Sequence, residues 1–125
     1  MRLLLDTRVF LWWASVDPGL SDEARHAIAS VDSFVAVSAA VAWEIGLKRT
    51  RRKLDAPTDI REQLVRHGFE ALPITIEHAI TAAALPDHHR DPFDRMLVAQ
   101  AQLEGLTIVT RDQKIGAYDV ATLAA

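Results

Sequence analysis

Along the chain, short apolar runs alternate with longer stretches in which apolar positions recur every three or four residues. Arg2–Leu5 is a run suited to a buried strand, and Asp6 closes it. The pattern over Val9–Ala14 predicts a helix directly afterwards, and Asp17-Pro18-Gly19 predicts a turn. Ser21, followed by Asp22 and Glu23, is a helix start, so Asp22–Ser30 reads as a helix. Phe34–Val37 is a second strand, and Ser38 caps a helix from Ala39 to about Lys48. Thr58 is expected to cap Asp59–His67, with Gly68 taking the left-handed position at its end. Phe69–Ile74 reads as a third strand. Thr75 caps Ile76–Ala84, which Pro86 stops. Asp91 caps Pro92–Glu104, with proline at the first helical position and Gly105 just past the last. Thr107–Thr110 is a fourth strand and Asp119–Leu123 a candidate fifth.

Strands separated by helices predict an α/β architecture around a central, mostly parallel sheet of four to five strands. The strands lack strict two-residue alternation, as expected of a sheet covered on both faces. No repeat, linker or low-complexity stretch divides the 125 residues, so one domain over residues 1–125 is expected. The chain has no cysteine, which removes disulfides, thiolate metal sites and a cysteine nucleophile, and fits a reducing cytoplasm. No apolar run approaches the ~18 residues needed to span a membrane. The apolar start is too short for a signal peptide. A cytoplasmic protein without membrane contact is therefore expected.

The net charge of −3 argues weakly against general nucleic-acid binding, but the charge is unevenly spread. Residues 45–67 hold seven Lys/Arg against three acids, and Lys48, Arg49, Arg51, Arg52 and Lys53 crowd into six positions. Such a run is either a solvated helix end, favoured by the helix dipole, or a phosphate-contacting patch.

In open parallel sheets, ligands bind beyond the carboxyl ends of the strands. Asp6 directly follows the first strand, and Asp112 stands two residues beyond the fourth. Glu44 lies in a largely apolar helix, and Asp94 in the first turn of another. Each acid has an ordinary reading. Asp6 would cap the helix after it, Glu44 would pair with Lys48, Asp94 would favour its helix dipole, and Asp112 would serve a turn. Brought together without a cation, the four carboxylates would repel and raise one another's pKa values. A hard divalent ion, Mg²⁺ or Mn²⁺, would remove that conflict.

Four segments carry a recognisable order: Leu3-Leu4-Leu5-Asp6-Thr7; Val37-Ser38 with Trp43-Glu44-Ile45 and Lys48; His89-Arg90-Asp91-Pro92-Phe93-Asp94-Arg95-Met96-Leu97; and Val109-Thr110-Arg111-Asp112. At these spacings they resemble the PIN-domain ribonucleases, specifically the VapC-type toxins of bacterial type II toxin–antitoxin pairs. The resemblance covers nearly the whole chain. It implies a PIN-like three-layer α/β/α fold and a metal-dependent endoribonuclease leaving 5′-phosphate and 3′-hydroxyl ends. Asp6, Glu44, Asp94 and Asp112 would hold one or two Mg²⁺ or Mn²⁺ ions and carry the catalysis. Asp91 matches a companion acid, and the Ser38 and Thr110 hydroxyls would orient carboxylates. Arg8, Lys48, Arg49, Arg51, Arg52 and Arg95 are candidates for contacting RNA. The implied partners are an RNA substrate, a second copy of the chain and a cognate antitoxin, with a higher toxin–antitoxin assembly as an alternative. Arg8 stands where related toxins often have His, Asn or Ser. It either contacts substrate phosphate or pairs with an acid and weakens metal binding.

The five histidines read as surface or packing residues, and the adjacent His88-His89 would diverge on a helix. Trp12, Trp13 and Trp43 read as core or interface packing rather than base-stacking platforms. A receiver-type signalling module would need an acid pair after the first strand, where Thr7 and Arg8 stand. A haloacid-dehalogenase-type phosphatase would need Asp in place of Arg8. The remaining alternative is a PIN domain that binds RNA or an antitoxin without cutting.

Overall fold

The computed structural model describes residues 1–51 and 59–125. The elements are β1 (Arg2–Leu5), α1 (Thr7–Ala14), α2 (Asp22–Ala29), β2 (Phe34–Ser38), α3 (Ala39–Thr50) and α4 (Ile60–His67). They continue with β3 (Glu70–Leu72), α5 (Ile76–Ala84), α6 (Pro92–Glu104), β4 (Thr107–Thr110), a short 3₁₀ turn (Ile115–Ala117) and β5 (Thr122–Ala124). One sheet runs in the order β3-β2-β1-β4-β5, and all its pairings are parallel. In β1, Leu3, Leu4 and Leu5 are all fully buried. Consecutive strand residues face opposite sides, so helices must cover both faces, and the layers are α/β/α.

The element starts follow local chemistry. The side chains of Asp6, Ser21, Ser38, Thr75 and Asp91 accept backbone N–H bonds at the heads of α1, α2, α3, α5 and α6. Gly68 and Gly105 close α4 and α6 at φ of 69° and 66°, where a β-carbon would be strained. Three expectations shift. The third strand is only Glu70–Leu72, because Pro73 has no N–H for the ladder and Phe69 turns into the core. The fifth strand starts later, at Thr122. The cap of α4 is Asp59, whose carboxylate accepts the Glu62 amide; Thr58, expected there, lies outside the described residues, as do Arg52 and Lys53. Among the described residues no helix is long and apolar enough to cross a membrane.

The sheet order places β1 at the centre, with β2 on one side and β4 on the other. The chain runs outward from β1 through β2 to β3 and then crosses back to β4 on the other side of β1, and the crevice at this reversal opens at the strands' carboxyl ends. The candidate acids belong to that edge.

Candidate active site

Asp6 continues β1 by one residue, its amide donating to the Val109 carbonyl of β4 at 3.2 Å. Its two oxygens are used separately. Oδ1 accepts the Val9 amide at 2.8 Å as the cap of α1, and Oδ2 accepts the Thr110 hydroxyl at 2.6 Å. Glu44 points from α3 into the same crevice and is buried. It also divides its oxygens, Oε1 accepting Thr7 Oγ1 at 2.5 Å and Oε2 meeting Lys48 Nζ at 2.6 Å. Asp112 follows β4. Its Oδ1 accepts the Lys114 amide at 2.9 Å, and its Oδ2 lies 2.8 Å from His89 Nε2. Asp94, at the head of α6, reaches the same nitrogen with Oδ2 at 3.0 Å. Asp91 caps α6, accepting the amides of Phe93 and Asp94 at 2.8 and 3.1 Å.

All five carboxylates face one cavity of about 800 Å³. Their proximity shows in their proton affinities. Burial, then the charges of Asp91, Glu44 and Asp6, push Asp94 up to about 7 against the pull of His89. Burial also raises Asp6, though Thr110 and Val9 oppose it. At Asp112, slight burial works upward but is outweighed by the Lys114 amide and by His89, so its carboxyl stays below the usual range. Hard oxygen donors so crowded that one holds a proton near neutrality fit a divalent cation of the Mg²⁺ or Mn²⁺ type.

The other wall of the cavity is basic and aromatic. Arg8 is exposed, with its guanidinium 5.8 Å from the Trp12 ring centre; Arg111 lies over the same ring at 4.3 Å. Arg111 is anchored by bonds to the carbonyls of Ala125 and Gly19. Trp12 is thus a wall residue as well as a packing one. Trp13 packs against His67 and Phe69, while Trp43 is largely exposed and meets Phe93 edge-on.

Two expected roles change. Ser38 accepts the Ala40 amide at 3.0 Å and lines a separate apolar groove with Leu64 and Leu72; among the described residues it bonds no carboxylate. Thr7 orients Glu44 instead. Arg95 is turned away from the cavity, donating to the carbonyls of Ala82, Leu85, Pro86 and His89. It clamps the loop between α5 and α6, and its guanidinium is engaged there. Of the basic run, Lys48 reaches the cavity, Arg51 is exposed and Arg49 is partly buried.

Four histidines keep the surface or packing roles expected of them. His26 and His88 are exposed, His67 stacks in the Trp13 cluster, and buried His78 caps α5 while meeting Glu104. His89 is the exception, since it bonds Asp112 and lies against Asp94. Its position inside the segment around Asp91 and Asp94 was the available signal.

The PIN-domain family model matches residues 3–121. The chain belongs to the PIN-domain family. Its resemblance reaches the VapC type: this PIN domain is 31% identical over 121 residues to Ribonuclease VapC22 of Mycobacterium tuberculosis, covering 93% of this chain and 91% of that protein. Among solved structures, VapBC2 from Rickettsia felis bound to a promoter DNA fragment superposes with a TM-score of 0.69 at 15% identity, covering 98% of each chain. VapBC-5 from Mycobacterium tuberculosis superposes with a TM-score of 0.60 at 25% identity, covering 98% of this chain and 95% of that one.

Proposed function

We propose that this PIN domain is a metal-dependent endoribonuclease, the toxin of a toxin–antitoxin pair. The observation that carries the reading is the convergence of Asp6, Glu44, Asp94 and Asp112, from four different segments, on one cavity whose electrostatics ask for a cation. A 31% identical ribonuclease supports the reaction class. Asp6, Glu44, Asp94 and Asp112 would hold one or two Mg²⁺ or Mn²⁺ ions. When bound, such an ion supplies a water of lowered pKa and neutralises charge on the scissile phosphate.

The chain's own residues have distinct tasks in this reading. Thr110 and Thr7 fix Asp6 and Glu44, so that each presents a set oxygen to the cavity. One of the four carboxylates would also orient the attacking water or accept its proton. Arg8 bonds to none of the acids among the described residues. That leaves it free to meet substrate phosphate beside Trp12, with Lys48 and Arg51 extending the basic edge. Action on RNA would place the protein in the cytoplasm.

The antitoxin partner is proposed because the Rickettsia felis and Mycobacterium tuberculosis neighbours are VapBC assemblies. A homodimer is proposed because Trp43, Ile76, Ile80 and Leu103 on α3, α5 and α6 are exposed apolar residues.

Cleavage of total RNA by purified protein, with Mg²⁺, Mn²⁺ or EDTA, tests the reading beside an Asp6→Asn, Asp94→Asn double variant. Cutting that requires metal and is lost in the variant is expected. Cutting that persists in EDTA or in the variant would refute it.

A further inference from the structure

Resting on the metal-site reading above, we propose that His89 is a positioning residue: it braces Asp94 and Asp112 from outside the metal and is not a ligand to it. His89, Asp94 and Asp112 present atoms within 4.8 Å of one another, close enough for a three-ligand site. The ring's other nitrogen decides against that use. His89 Nδ1 accepts the backbone N–H of Asp91 at 3.1 Å. An acceptor nitrogen carries no proton, so in the neutral ring the proton sits on Nε2. That N–H donates to Asp112 Oδ2 at 2.8 Å, and Asp94 Oδ2 lies 3.0 Å from the same nitrogen. A protonated nitrogen has no lone pair to give a cation. The ring therefore contributes a donor to the site.

The brace has a clear task. Asp94 comes from α6 and Asp112 from the segment after β4, and nothing in the backbone ties the two carboxylates together. The bond fixes Asp112 Oδ2, and the positive end of the same N–H, 3.0 Å from Asp94 Oδ2, offsets the repulsion between the two carboxylates. Asp94 Oδ1 accepts no bond among the described residues, so it remains available to a cation.

The ring's own position is built from both sides. Tyr118, buried after the 3₁₀ turn, accepts the His89 amide at 2.9 Å and donates its hydroxyl to the Pro86 carbonyl at 2.8 Å. Arg95 holds the same loop from α6, donating to the Pro86 and His89 carbonyls. The clamp and the brace together link α6, the loop before it and the segment after β4.

The test is calorimetric titration of Mn²⁺ alone, without RNA, into wild type, His89→Ala, His89→Gln, Tyr118→Phe and Asp94→Asn, with thermal melts in EDTA to verify folding. A glutamine places an amide N–H₂ near the Nε2 position. His89→Gln is expected to keep affinity within about threefold of wild type, and His89→Ala to lose about 10–100-fold. Tyr118→Phe, which keeps the ring but frees the loop, is expected to lose a few-fold, and it carries the test if His89→Ala does not fold. Glutamine failing as badly as alanine would make the ring a direct ligand and overturn the proposal. Unchanged or tighter binding in His89→Ala would also overturn it, as would unchanged binding in Tyr118→Phe should the alanine variant not fold. Wild type binding no Mn²⁺ would instead bring down the metal-site reading, and the brace with it.

Discussion

Asp94→Asn is expected to stabilise the metal-free protein while abolishing cleavage. A helix-terminal role alone predicts the reverse. Asp94 sits in the first turn of α6, where a carboxylate gains at most ~1 kcal/mol from the helix dipole. Losing it should cost about that much. Burial beside Asp91, Glu44 and Asp6 acts in the opposite direction and is larger. Raising the carboxyl from 3.8 to about 7 corresponds to about 4 kcal/mol of unfavourable ionisation. With 21% of the side chain in water, solvent screening trims this to about 2–4 kcal/mol. Between pH 4 and 7 the native state holds a proton that the unfolded chain has released. Stability therefore falls as pH rises through that window and levels off above about 7. Asparagine carries no charge and has no such slope. In EDTA at pH 8 the variant should exceed wild type by about 2–3 kcal/mol, roughly 10 °C in Tm, and the two should nearly coincide at pH 4. Mn²⁺ should raise wild type much more than the variant. Urea unfolding followed by circular dichroism at pH 4, 6 and 8 measures all of this. An asparagine variant no more stable than wild type at pH 8 would refute the electrostatic reasoning.

Thr110→Val keeps the shape of the side chain but strands Asp6 Oδ2 and the Asp112 amide, both bonded to the hydroxyl. It should cost about 2–4 kcal/mol in urea unfolding and weaken Mn²⁺ binding about tenfold. Arg95→Met keeps the apolar stem but removes the donors that clamp the loop before α6. A loss of about 2–3 kcal/mol with an unchanged salt dependence of RNA binding is expected, whereas a flattened dependence would return Arg95 to the RNA contacts. The Arg8→Ala, Arg51→Ala pair should leave stability almost untouched and reduce the salt slope of RNA binding by about 1.4, measured by filter binding.

The elements were legible where local chemistry decides them. Ser21, Thr75, Asp91, Gly68 and Gly105 mark helix ends, and each does so through bonds or backbone angles within a few residues. The third strand was read too long because apolar content cannot distinguish a residue that pairs from one, like Phe69, that packs. The acids were legible through their order along the chain. Their ordinary and convergent readings looked like competitors, yet both hold at once. A carboxylate has two oxygens, and Asp6, Glu44 and Asp112 each commit one to a local bond and leave the other to the cavity or to a group that faces it. His89 was hidden because its role depends on Asp112, 23 residues away, and on a backbone amide. Arg95 was expected at the RNA, and order along the chain does not show that its guanidinium meets the carbonyls of the loop before α6. Neighbours on a helix diverge by about 100°, which sends its side chain towards the carbonyls instead.

The place of β1 in the sheet sets a schedule for synthesis. β1 is translated first, and β2 can pair with it early. Its other neighbour is β4, so the bond between Asp6 and Thr110 closes across 104 residues. A nascent chain that has not yet made Asp112 contains Asp6, Glu44 and even Asp94, but one edge of the central strand stands open until β4 arrives. A chain halted before residue 107 lacks β4 and with it Thr110 and Asp112, so the edge of β1 stays unpaired and the set of acids at the crevice incomplete.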